Sequence, residues 1–301
     1  MCETCGCNVT AANRHLVEDN GKLAQTADGK AAVDVLHSLL HENDHQAMHN
    51  REHFDQHKVL AINLMSSPGS GKTTLLEQTI EALGDELNIA VIEGDLETEN
   101  DANRIRAKGI DAVQITTGSA CHLDAHMVHD GLHQLALDNV DILFIENVGN
   151  LVCPASFDLG HHLNVTLLST TEGDDKPSKY PVMFRAADLM LISKADLLAV
   201  LDDFDSERAT ENFRKLAKAE PVISLSAKNR AGFDAWTDWL QQQLQQHRER
   251  LASGDSRRPA IQPDGVQLHS HTHQHSQGHQ HDHGHSHGHH HHHEHSHKHG
   301  S

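Results

Sequence analysis

The chain of 301 residues is acidic and rich in histidine, with 24 Lys and Arg against 43 Asp and Glu, and 31 histidines. Its net charge of −19 and aromatic content of 3% argue against a nucleic-acid partner, because phosphate backbones attract basic surfaces and bases stack on aromatic rings. No apolar run approaches the length of a membrane span and no signal peptide opens the chain, so we expect a soluble, cytoplasmic protein.

Composition divides the chain into four segments. Residues 1–30 are a polar linker that begins with a cysteine peptide, and residues 31–57 are predicted to form a helix. Residues 58–251 alternate apolar strands with amphipathic helices and form the main domain. Residues 252–301 become histidine-rich and have no periodic apolar residues, so we predict that this tail is disordered without metal.

Short apolar segments predict the strands of the main domain, at residues 59–65, 88–92, 113–117, 141–145, 165–169, 189–192 and 222–225. Nearly continuous apolar strands separated by helices of ten or more residues are typical of a parallel sheet covered on both faces. We therefore predict an α/β fold with a mainly parallel sheet and helices on both faces. In such folds, ligands bind in the loops at the carboxyl ends of the strands.

The first predicted strand is followed by Ser-Ser-Pro-Gly-Ser-Gly-Lys-Thr-Thr and then by a helix. Glycines let successive backbone N–H groups turn toward a phosphate at the positive end of the helix. We predict a P-loop in which Lys72 reaches the β- and γ-phosphates and the Thr73 hydroxyl binds Mg²⁺. The usual pattern opens with glycine where this chain has Ser66. The predicted nucleotide-binding residues of this loop are Pro68, Gly69, Ser70, Gly71, Lys72, Thr73 and Thr74.

Acidic residues at two predicted strand ends lie where they can act on the nucleotide. Asp95 ends the second strand and can hold Mg²⁺, directly or through water. Glu146 ends the fourth strand and can orient water or the metal, and Gly149 can bring its backbone N–H to the γ-phosphate. The predicted catalytic residues are therefore Lys72, Thr73, Asp95 and Glu146.

The segment 193–196, Ser-Lys-Ala-Asp, is similar to the Asn-Lys-x-Asp guanine motif of GTPases, with Ser193 in place of Asn. Asp196 can accept hydrogen bonds from N1–H and the 2-amino group of guanine, which adenine lacks, while the alkyl stem of Lys194 lies along the base. We therefore predict GTP as the nucleotide. We expect Ser193 to weaken a tether to the P-loop more than it weakens base choice. The loop that closes over guanine in the same proteins is matched by Ser226, Ala227 and Lys228.

Three cysteines occur within six residues of one another at the N-terminus. In a reducing compartment such thiols are more typical of metal binding than of disulfides. Three sulfurs and the α-amino nitrogen in one plane would suit Ni²⁺, whereas Zn²⁺ prefers a tetrahedron. The predicted ligands are Cys2, Cys5 and Cys7.

The predicted helix 31–57 carries histidines at a spacing of four residues, namely His37, His41, His45, His49, His53 and His57. Residues four apart share a helix face, so neighbouring pairs can chelate a metal weakly. A solvated polar face explains the same pattern equally well, and the sequence leaves both interpretations open.

A second group of candidate metal ligands follows the third predicted strand and the Glu146 loop. Cys121 and His122 are adjacent, and His126 follows His122 by one helical turn, as in helical two-histidine metal sites. Cys153 lies in the loop after Glu146, which is predicted to sense the γ-phosphate. A metal ligand on that loop provides a route by which the nucleotide state changes metal affinity.

The C-terminal tail holds 17 of the 31 histidines, alternating with Ser, Gly, Gln and Asp. Such a chain can chelate many ions weakly, which predicts nickel storage. An expression tag is the alternative interpretation. The weaker candidate ligands in the tail are His269, His271, His273 and His275.

Four motifs together closely resemble the hydrogenase nickel-incorporation GTPases, the HypB family of SIMIBI-class P-loop GTPases. They are Cys-x-x-Cys-Gly-Cys, Ser-Pro-Gly-Ser-Gly-Lys-Thr, Glu-Asn-Val-Gly-Asn-Leu-Val-Cys-Pro and Thr-Glu-Gly-Asp-Asp, and the resemblance covers residues 1–7 and about 31–250. It implies a metallochaperone that hydrolyses GTP while nickel is delivered to the precursor of a [NiFe] hydrogenase large subunit. It also implies tight nickel binding by the N-terminal peptide. At a GTP-dependent homodimer interface, the implied ligands of nickel or zinc are Cys121, His122 and Cys153.

The resemblance implies two further partners, a small zinc-containing hydrogenase accessory protein and a nickel-storing proline isomerase. The related urease GTPases carry Cys-Pro-His at the metal site and lack the N-terminal cysteine peptide. Here Pro154 is followed by Ala155, and His122 directly follows Cys121, which favours the hydrogenase branch. The alternative functions are a urease-type nickel-delivery GTPase and a protein that chiefly stores nickel. We expect one chain to combine delivery and storage, with delivery primary.

Overall fold

A computed structural model describes residues 30–95, 99–118, 120–217 and 219–259, with side chains in the first helix described from residue 40 onward. The predicted cysteine peptide with Cys2, Cys5 and Cys7 lies outside the described residues, as does the side chain of His37. The predicted histidine tail from His269 onward lies outside them too. Only the C-terminal side of the proposed domain boundary at residue 30 is described, whereas the boundary at residue 252 is described up to residue 259.

Seven parallel strands form one sheet in the order β3-β2-β4-β1-β5-β6-β7. This confirms the predicted α/β fold, and each strand lies within a few residues of its predicted position. The strands are β1 (Leu60–Ser66), β2 (Ile89–Asp95), β3 (Asp111–Thr116), β4 (Ile142–Glu146), β5 (Leu163–Ser169), β6 (Leu189–Ser193) and β7 (Val222–Ser224).

Helices cover both faces of the sheet. They are α1 (Lys30–His57), α2 (Lys72–Leu83), α3 (Asn100–Arg106), α4 (Ala125–Leu132), α5 (Lys176–Lys179), α6 (Pro181–Arg185), α7 (Ser206–Arg214) and α8 (Phe233–Ala252). The predicted histidine-bearing helix is α1. No helix within the described ranges is long and apolar enough to cross a membrane.

The alternation of side chains along β1 separates two apolar cores. Leu60 and Ile62 are buried on the face that packs against Trp236 of α8, whereas Ala61 is buried on the opposite face with Phe54 of α1. Successive residues of a strand point to opposite sides, so a strand that is buried along its whole length must be apolar on both. Each fully buried Leu or Ile contributes about 1.5–3 kcal/mol to folding.

Buried polar groups attach α1 to the sheet. Arg51 of α1 donates hydrogen bonds to both carboxylate oxygens of Asp158, at 2.6 and 2.7 Å. His162 accepts a hydrogen bond from the backbone N–H of Ala61 at Nδ1, so its Nε2 carries the proton and donates to Asp55 at 3.0 Å. Because both ring nitrogens of His162 are used in this way, we interpret Asp55 and His162 as a structural pair.

His247 of α8 packs against the ring of His162, with 4.3 Å between centroids, and burial lowers its pKa to about 4. A histidine pKa that is lower in the folded than in the unfolded chain stabilises the fold above about pH 6.5 and loses that contribution as the pH falls toward 4. Between about pH 7 and pH 5, we expect the unfolding free energy of the wild type to fall by up to about 2 kcal/mol relative to His247→Leu.

Chemical denaturation of both proteins at the two pH values measures this difference, in which the titration of all other groups largely cancels. The exposed His45→Leu serves as the matched control. If wild type and His247→Leu differed in unfolding free energy by the same amount at both pH values, the assignment of an uncharged, buried His247 would be contradicted.

The described chain continues to contact the domain beyond the predicted boundary at residue 252. Helix α8 ends at Ala252, and Arg257 then donates hydrogen bonds to Asp188 at 2.6 Å and Gln243 at 2.9 Å. Contacts with the domain therefore extend to Arg257, five residues beyond the predicted boundary.

Candidate nucleotide and metal site

Strand β1 runs directly into the predicted phosphate loop, and α2 begins at Lys72. Gly69 and Gly71 have φ angles of 74° and 100°, a left-handed backbone conformation that favours glycine. A cavity of about 450 Å³ lies at this helix N-terminus. The predicted residues that line it are Pro68, Gly69, Gly71, Lys72, Thr73, Thr74, Asp95, Glu146, Gly149 and Lys194.

Ser66, which stands where the usual motif has glycine, organises the loop by hydrogen bonding. Its Oγ receives hydrogen bonds from Ser70 Oγ at 2.5 Å and from Lys72 Nζ at 3.1 Å, and donates to the carbonyl of Ser67 at 2.7 Å. The Lys72 ammonium thus rests on a neutral hydroxyl inside the loop. A phosphate is a stronger partner for this cation than a hydroxyl, so Lys72 is placed to transfer to a bound nucleotide.

The hydroxyl of Thr73 is connected to the end of β4, where it donates a hydrogen bond to Glu146 at 2.9 Å. Glu93 is the register partner of Glu146 on the neighbouring strand β2, and the carboxylates of Glu93, Asp101 and Glu146 approach within 4.8 Å of one another. Hydroxyl and carboxylate oxygens are the ligands that Mg²⁺ prefers. The three carboxylates and Thr73 therefore form an oxygen-rich corner of the cavity.

Two of these carboxyl groups are perturbed in the way expected of a cation site. Burial, and then the charge of Glu146, raise the pKa of Glu93 to about 8, and burial raises the pKa of Glu146 to about 7. The Oε2 atom of each has no hydrogen-bond partner among the described residues. Unpartnered buried carboxylate oxygens are costly, and a bound Mg²⁺ would satisfy them. The residues present thus fit that ion.

Glu93 and Asp101 were not predicted from the sequence. Glu93 lies two residues before the predicted Asp95, and only the pairing of β2 with β4 brings it beside Glu146. Asp95 itself ends β2, is partly buried and lines the cavity. Its backbone carbonyl accepts a hydrogen bond from the N–H of Thr117 at 2.9 Å.

Gly149 lets the loop after β4 lie directly against the phosphate loop. A Cβ atom at this position would come within 2.8 Å of the Pro68 Cα and 2.9 Å of its nitrogen. A side chain would therefore push the two loops apart. The close approach agrees with the predicted contact between the Gly149 backbone and the γ-phosphate, which remains a prediction.

A second cavity, of about 290 Å³, adjoins the first and shares Gly71, Thr74 and Lys194 with it. It contains the predicted guanine-binding residues, together with part of the phosphate loop. Its polar lining residues are Ser70, Ser193, Lys194, Asp196, Ser226 and Lys228, and Ala227 also contributes. The two cavities together match the phosphate and base ends of one nucleotide.

Hydrogen bonds hold this second cavity in shape. Asp196 accepts from Ser226 Oγ at 2.6 Å, and Ser226 Oγ in turn accepts from the backbone N–H of Lys228 at 3.2 Å. Ser193 Oγ donates to the carbonyl of Ser70 at 2.8 Å, and Lys194 Nζ donates to that of Gly69 at 2.7 Å. The shorter side chain of Ser193 therefore still tethers the end of β6 to the phosphate loop, and the expected weakness of this tether relative to asparagine remains a prediction.

The candidate metal ligands meet on the opposite side of the loop after β4. The sulfurs of Cys121 and Cys153 lie 3.1 Å apart, and Nδ1 of His122 lies 3.9 Å from the Cys121 sulfur. His122 is fully buried and stacks on Phe157 with 4.0 Å between ring centroids. Two sulfurs and one imidazole nitrogen within 4.8 Å of one another form a suitable partial shell for a borderline transition metal.

Neighbouring groups favour the metal-binding form of Cys121. Its interactions with Cys153 and then with His122 lower the pKa of the Cys121 thiol to about 4. The thiolate is the form that binds metals. The Nε2 atom of His122 is buried and has no hydrogen-bond partner among the described residues.

The loop after β4 links the metal ligands to the nucleotide cavity through asparagines that the motifs did not identify. Asn147, next to Glu146, accepts a hydrogen bond from the backbone N–H of Leu123 at 3.2 Å. Asn150 donates to the carbonyl of Cys121 at 3.2 Å. A movement of this loop therefore acts on the backbone on both sides of His122.

The predicted helical pair of His122 and His126 is wrong. Helix α4 begins at Ala125, and Asp124 caps it by accepting a hydrogen bond from the N–H of Met127 at 2.8 Å. His122 thus precedes the helix, where the four-residue spacing no longer places the two rings on one face. Among the described residues, the ligand group at Cys121 does not include His126.

Comparison with known proteins supports the interpretation of the first cavity as a nucleotide-binding site. A family model described as the CobW/HypB/UreG nucleotide-binding domain matches residues 60–224. Hydrogenase maturation factor HypB of Azotobacter chroococcum is 52% identical over 211 residues, which cover 70% of this chain and 69% of that protein. The chain belongs to the HypB family. This confirms the resemblance that the motifs predicted, and it identifies the cavity at the phosphate loop as that of a P-loop nucleotide-binding family.

Two further HypB proteins extend the comparison. The hydrogenase/urease maturation factor HypB of Helicobacter hepaticus is 46% identical over 222 residues, covering 72% of this chain and 90% of that protein. The crystal structure of HypB from Helicobacter pylori in complex with nickel is 42% identical and has a TM-score of 0.66. It covers 68% of this chain and 96% of that structure, so the architecture of the central domain is shared.

Proposed function

We propose that this protein is a GTP-hydrolysing nickel metallochaperone that delivers nickel during [NiFe] hydrogenase maturation. One observation carries the proposal: a single short loop bears groups for both nucleotide and metal. Glu146 at its start contacts Thr73 of the phosphate loop at 2.9 Å, and Cys153 near its end lies 3.1 Å from Cys121. The relationship to HypB proteins, one of them crystallised with nickel, supports nickel as the cargo.

In the proposed reaction, water attacks the γ-phosphorus of GTP, the bond to the bridging oxygen breaks, and GDP and phosphate leave. Lys72 and the backbone N–H groups of the phosphate loop stabilise charge on the phosphoryl oxygens. Thr73, Asp95 and Glu146 would hold Mg²⁺, which supplies further neutralisation of that charge when bound. Glu93 lies beside Glu146 and adds a further carboxyl group to the same corner of the cavity.

Guanine selectivity follows from Asp196, whose carboxylate matches the two donors on guanine. In Asp196→Asn, one acceptor becomes a donor and matches the 2-carbonyl of xanthine instead. We expect the affinity for GTP to fall by about 10- to 100-fold, since a hydrogen bond to a charged group is worth about 1.5–3 kcal/mol, and the affinity for XTP to rise. Competitive binding of GTP, XTP and ATP measures this, with the exposed Asp203→Asn as the matched control.

If Asp196→Asn left the preference of GTP over XTP unchanged, the second cavity would not be the guanine site. An ATP affinity equal to the GTP affinity in the wild type would contradict the proposed GTPase directly.

The metal part of the proposal assigns nickel to Cys121, His122 and Cys153, with zinc as a second ion that the same ligands accept in a tetrahedral arrangement. Three ligands on one chain leave the shell incomplete, which supports a GTP-dependent homodimer whose second copy completes it. We further propose tight nickel binding by Cys2, Cys5 and Cys7, and storage by the tail from His269 onward.

The proposed partners follow from the family assignment: a small zinc-containing hydrogenase accessory protein, a nickel-storing proline isomerase and the hydrogenase large-subunit precursor. The second candidate function is nickel delivery to urease, because the Helicobacter hepaticus relative is named a hydrogenase/urease maturation factor. The experiment is complementation of cells that lack their own HypB. Restored hydrogenase activity supports the proposal, and restored urease activity alone supports the second candidate.

Removal of residues 265–301 distinguishes delivery from storage. A tail that stores nickel predicts a several-fold lower nickel stoichiometry with GTP hydrolysis retained. If the truncated chain failed to restore hydrogenase activity even in nickel-rich medium, the tail would have a role in delivery as well.

A further inference from the structure

Helix α4 carries two histidines whose ring nitrogens face each other. The Nε2 atoms of His129 and His133 lie 3.1 Å apart, and their rings meet nearly at right angles, with 4.6 Å between centroids. Neither residue lines the nucleotide cavities or belongs to the ligand group at Cys121. His133 is exposed at the end of α4, so an ion can reach the pair from solvent.

The tautomer of His129 is fixed by a buried asparagine of α1. Asn50 Nδ2 donates to the carbonyls of Ala125 and Leu159, at 2.8 and 3.1 Å, which turns its Oδ1 toward His129. Since Oδ1 can only accept, the His129 Nδ1 at 3.1 Å carries the proton. The Nε2 of His129 therefore has its lone pair directed at His133. Orientation of a ring by a hydrogen bond from its second nitrogen is typical of metal-binding histidines.

The distance between the Nε2 atoms of His129 and His133 indicates which coordination geometry the pair suits. Two ligands at about 2.1 Å from a metal lie about 3.0 Å apart when they subtend a right angle, and about 3.4 Å apart in a tetrahedron. The observed 3.1 Å agrees with neighbouring positions of a square-planar or octahedral ion. The charge of Asp130, near His129, also favours a cation here.

A third imidazole lies on the facing helix α1. Burial and then His57 lower the pKa of His53, and the charges of His129 and His133 contribute less. Among the described residues no third side chain joins the pair within metal-ligand distance, so water would complete the coordination shell.

We propose that His129 and His133 form a binding site for one divalent transition-metal ion that accepts right-angled imidazole pairs, with Ni²⁺ as the fitting ion. The site is separate from the nucleotide-coupled ligands Cys121, His122 and Cys153, and it does not depend on the proposed GTPase function. Both Nε2 atoms must offer a lone pair to the metal, so on metal binding the proton between them moves through solvent to Nδ1 of His133, and no net proton is lost.

Two pairs on α1 provide an internal comparison, because they have the same spacing of four residues. The rings of His45 and His49 lie 4.7 Å apart, and those of His53 and His57 lie 4.9 Å apart. In the described structure, His57 directs Nδ1 at Asp138 at 2.8 Å. Neither pair brings two ring nitrogens into contact as His129 and His133 do, so spacing alone does not make the site.

The test uses the full chain at free Ni²⁺ concentrations fixed by a chelator, so that the tail does not deplete the ion. Carbethoxylation of each histidine, read by peptide mass spectrometry, reports which rings the metal protects. We expect His129 and His133 to become protected at a free Ni²⁺ concentration at least about tenfold lower than His45. In His133→Asn, protection of His129 should be lost, whereas the matched His45→Asn should leave it intact.

Because His122 is fully buried, its retained protection in His133→Asn shows that the variant is folded. The proposal is overturned if His129 stays protected in His133→Asn. It is equally overturned if the pairs on α1 and α4 become protected at the same Ni²⁺ concentration, since the result would then reflect helical spacing alone.

Discussion

Lys72→Ala should lower the rate of GTP hydrolysis by about 1000-fold, the upper range for removing one group that stabilises transition-state charge. Lys72 is a buried cation of the phosphate loop, and its ammonium donates a hydrogen bond to the neutral hydroxyl of Ser66 at 3.1 Å. Its charge is therefore available for the phosphates, where developing negative charge makes it most effective. Release of phosphate under single-turnover conditions measures the effect on the chemical step.

The control is Lys215→Ala, which removes an exposed lysine whose ammonium contacts Asn212 far from the cavities. Lys215→Ala should hydrolyse GTP at the wild-type rate. If Lys72→Ala hydrolysed GTP at the wild-type rate, the assignment of this loop as the catalytic phosphate site would be wrong.

The second large expected effect is a loss of nickel affinity. Cys121→Ser should lower nickel affinity at the site of Cys121, His122 and Cys153 by more than about 100-fold, beyond the 10- to 100-fold that altered outer-shell contacts cost. A hydroxyl is a poor ligand for a borderline metal at neutral pH, whereas the interactions with Cys153 and His122 hold the pKa of the Cys121 thiol at about 4. Loss of the sulfur-to-nickel absorption band, followed during titration, measures the change.

Cys2→Ser is the matched control, because it removes a sulfur from the N-terminal peptide and leaves Cys121 in place. It should change the nickel signal of that peptide only. Wild-type affinity at the central site in Cys121→Ser would mean that nickel is bound there through other residues.

The sequence was sufficient for the fold because its strands are buried on both faces. β4 and β6 are apolar except for their last residues, and the intervening amphipathic helices predict parallel connections without knowledge of the strand order. The phosphate loop was equally predictable, since glycines with left-handed φ angles followed by Lys72 and Thr73 leave few alternatives.

Parts of the site that depend on strand order were not predictable from motifs. Glu93 gains its place beside Glu146 only because β4 inserts between β2 and β1. The hydroxyl of Ser193 reaches the Ser70 carbonyl because β6 ends next to the phosphate loop, a contact that the motif alone does not show.

The helical pair predicted for His122 and His126 failed for a local reason. Asp124 caps α4, and the helix begins at Ala125, three residues after His122, so a spacing of four residues does not place His122 and His126 on one helix face. His129 and His133, which do face each other, have the same spacing, with His129 in α4 and His133 as its C-terminal cap. Spacing therefore identifies a chelating pair only once the start of the helix is known.

The central claim is that one loop couples nucleotide state to metal affinity. The hydrogen bond from Asn150 to the Cys121 carbonyl, at 3.2 Å, is one of the contacts through which we expect a shift near Glu146 to reach the metal ligands. Coupling of this kind is typically worth about 5- to 150-fold in affinity and is reciprocal. Asn150→Ala should therefore reduce the coupling between nucleotide state and nickel affinity while leaving all three metal ligands in place.

The most direct measurement is a nickel titration of the full chain, with Cys2, Cys5 and Cys7 changed to Ser, bound either to GDP or to a non-hydrolysable GTP analogue. Oligomer size is recorded alongside. We predict that the nickel Kd of the site formed by Cys121, His122 and Cys153 differs by at least about tenfold between the two nucleotide states, and that the difference shrinks in Asn150→Ala. The same nickel Kd in both nucleotide states would contradict a nucleotide-controlled metallochaperone.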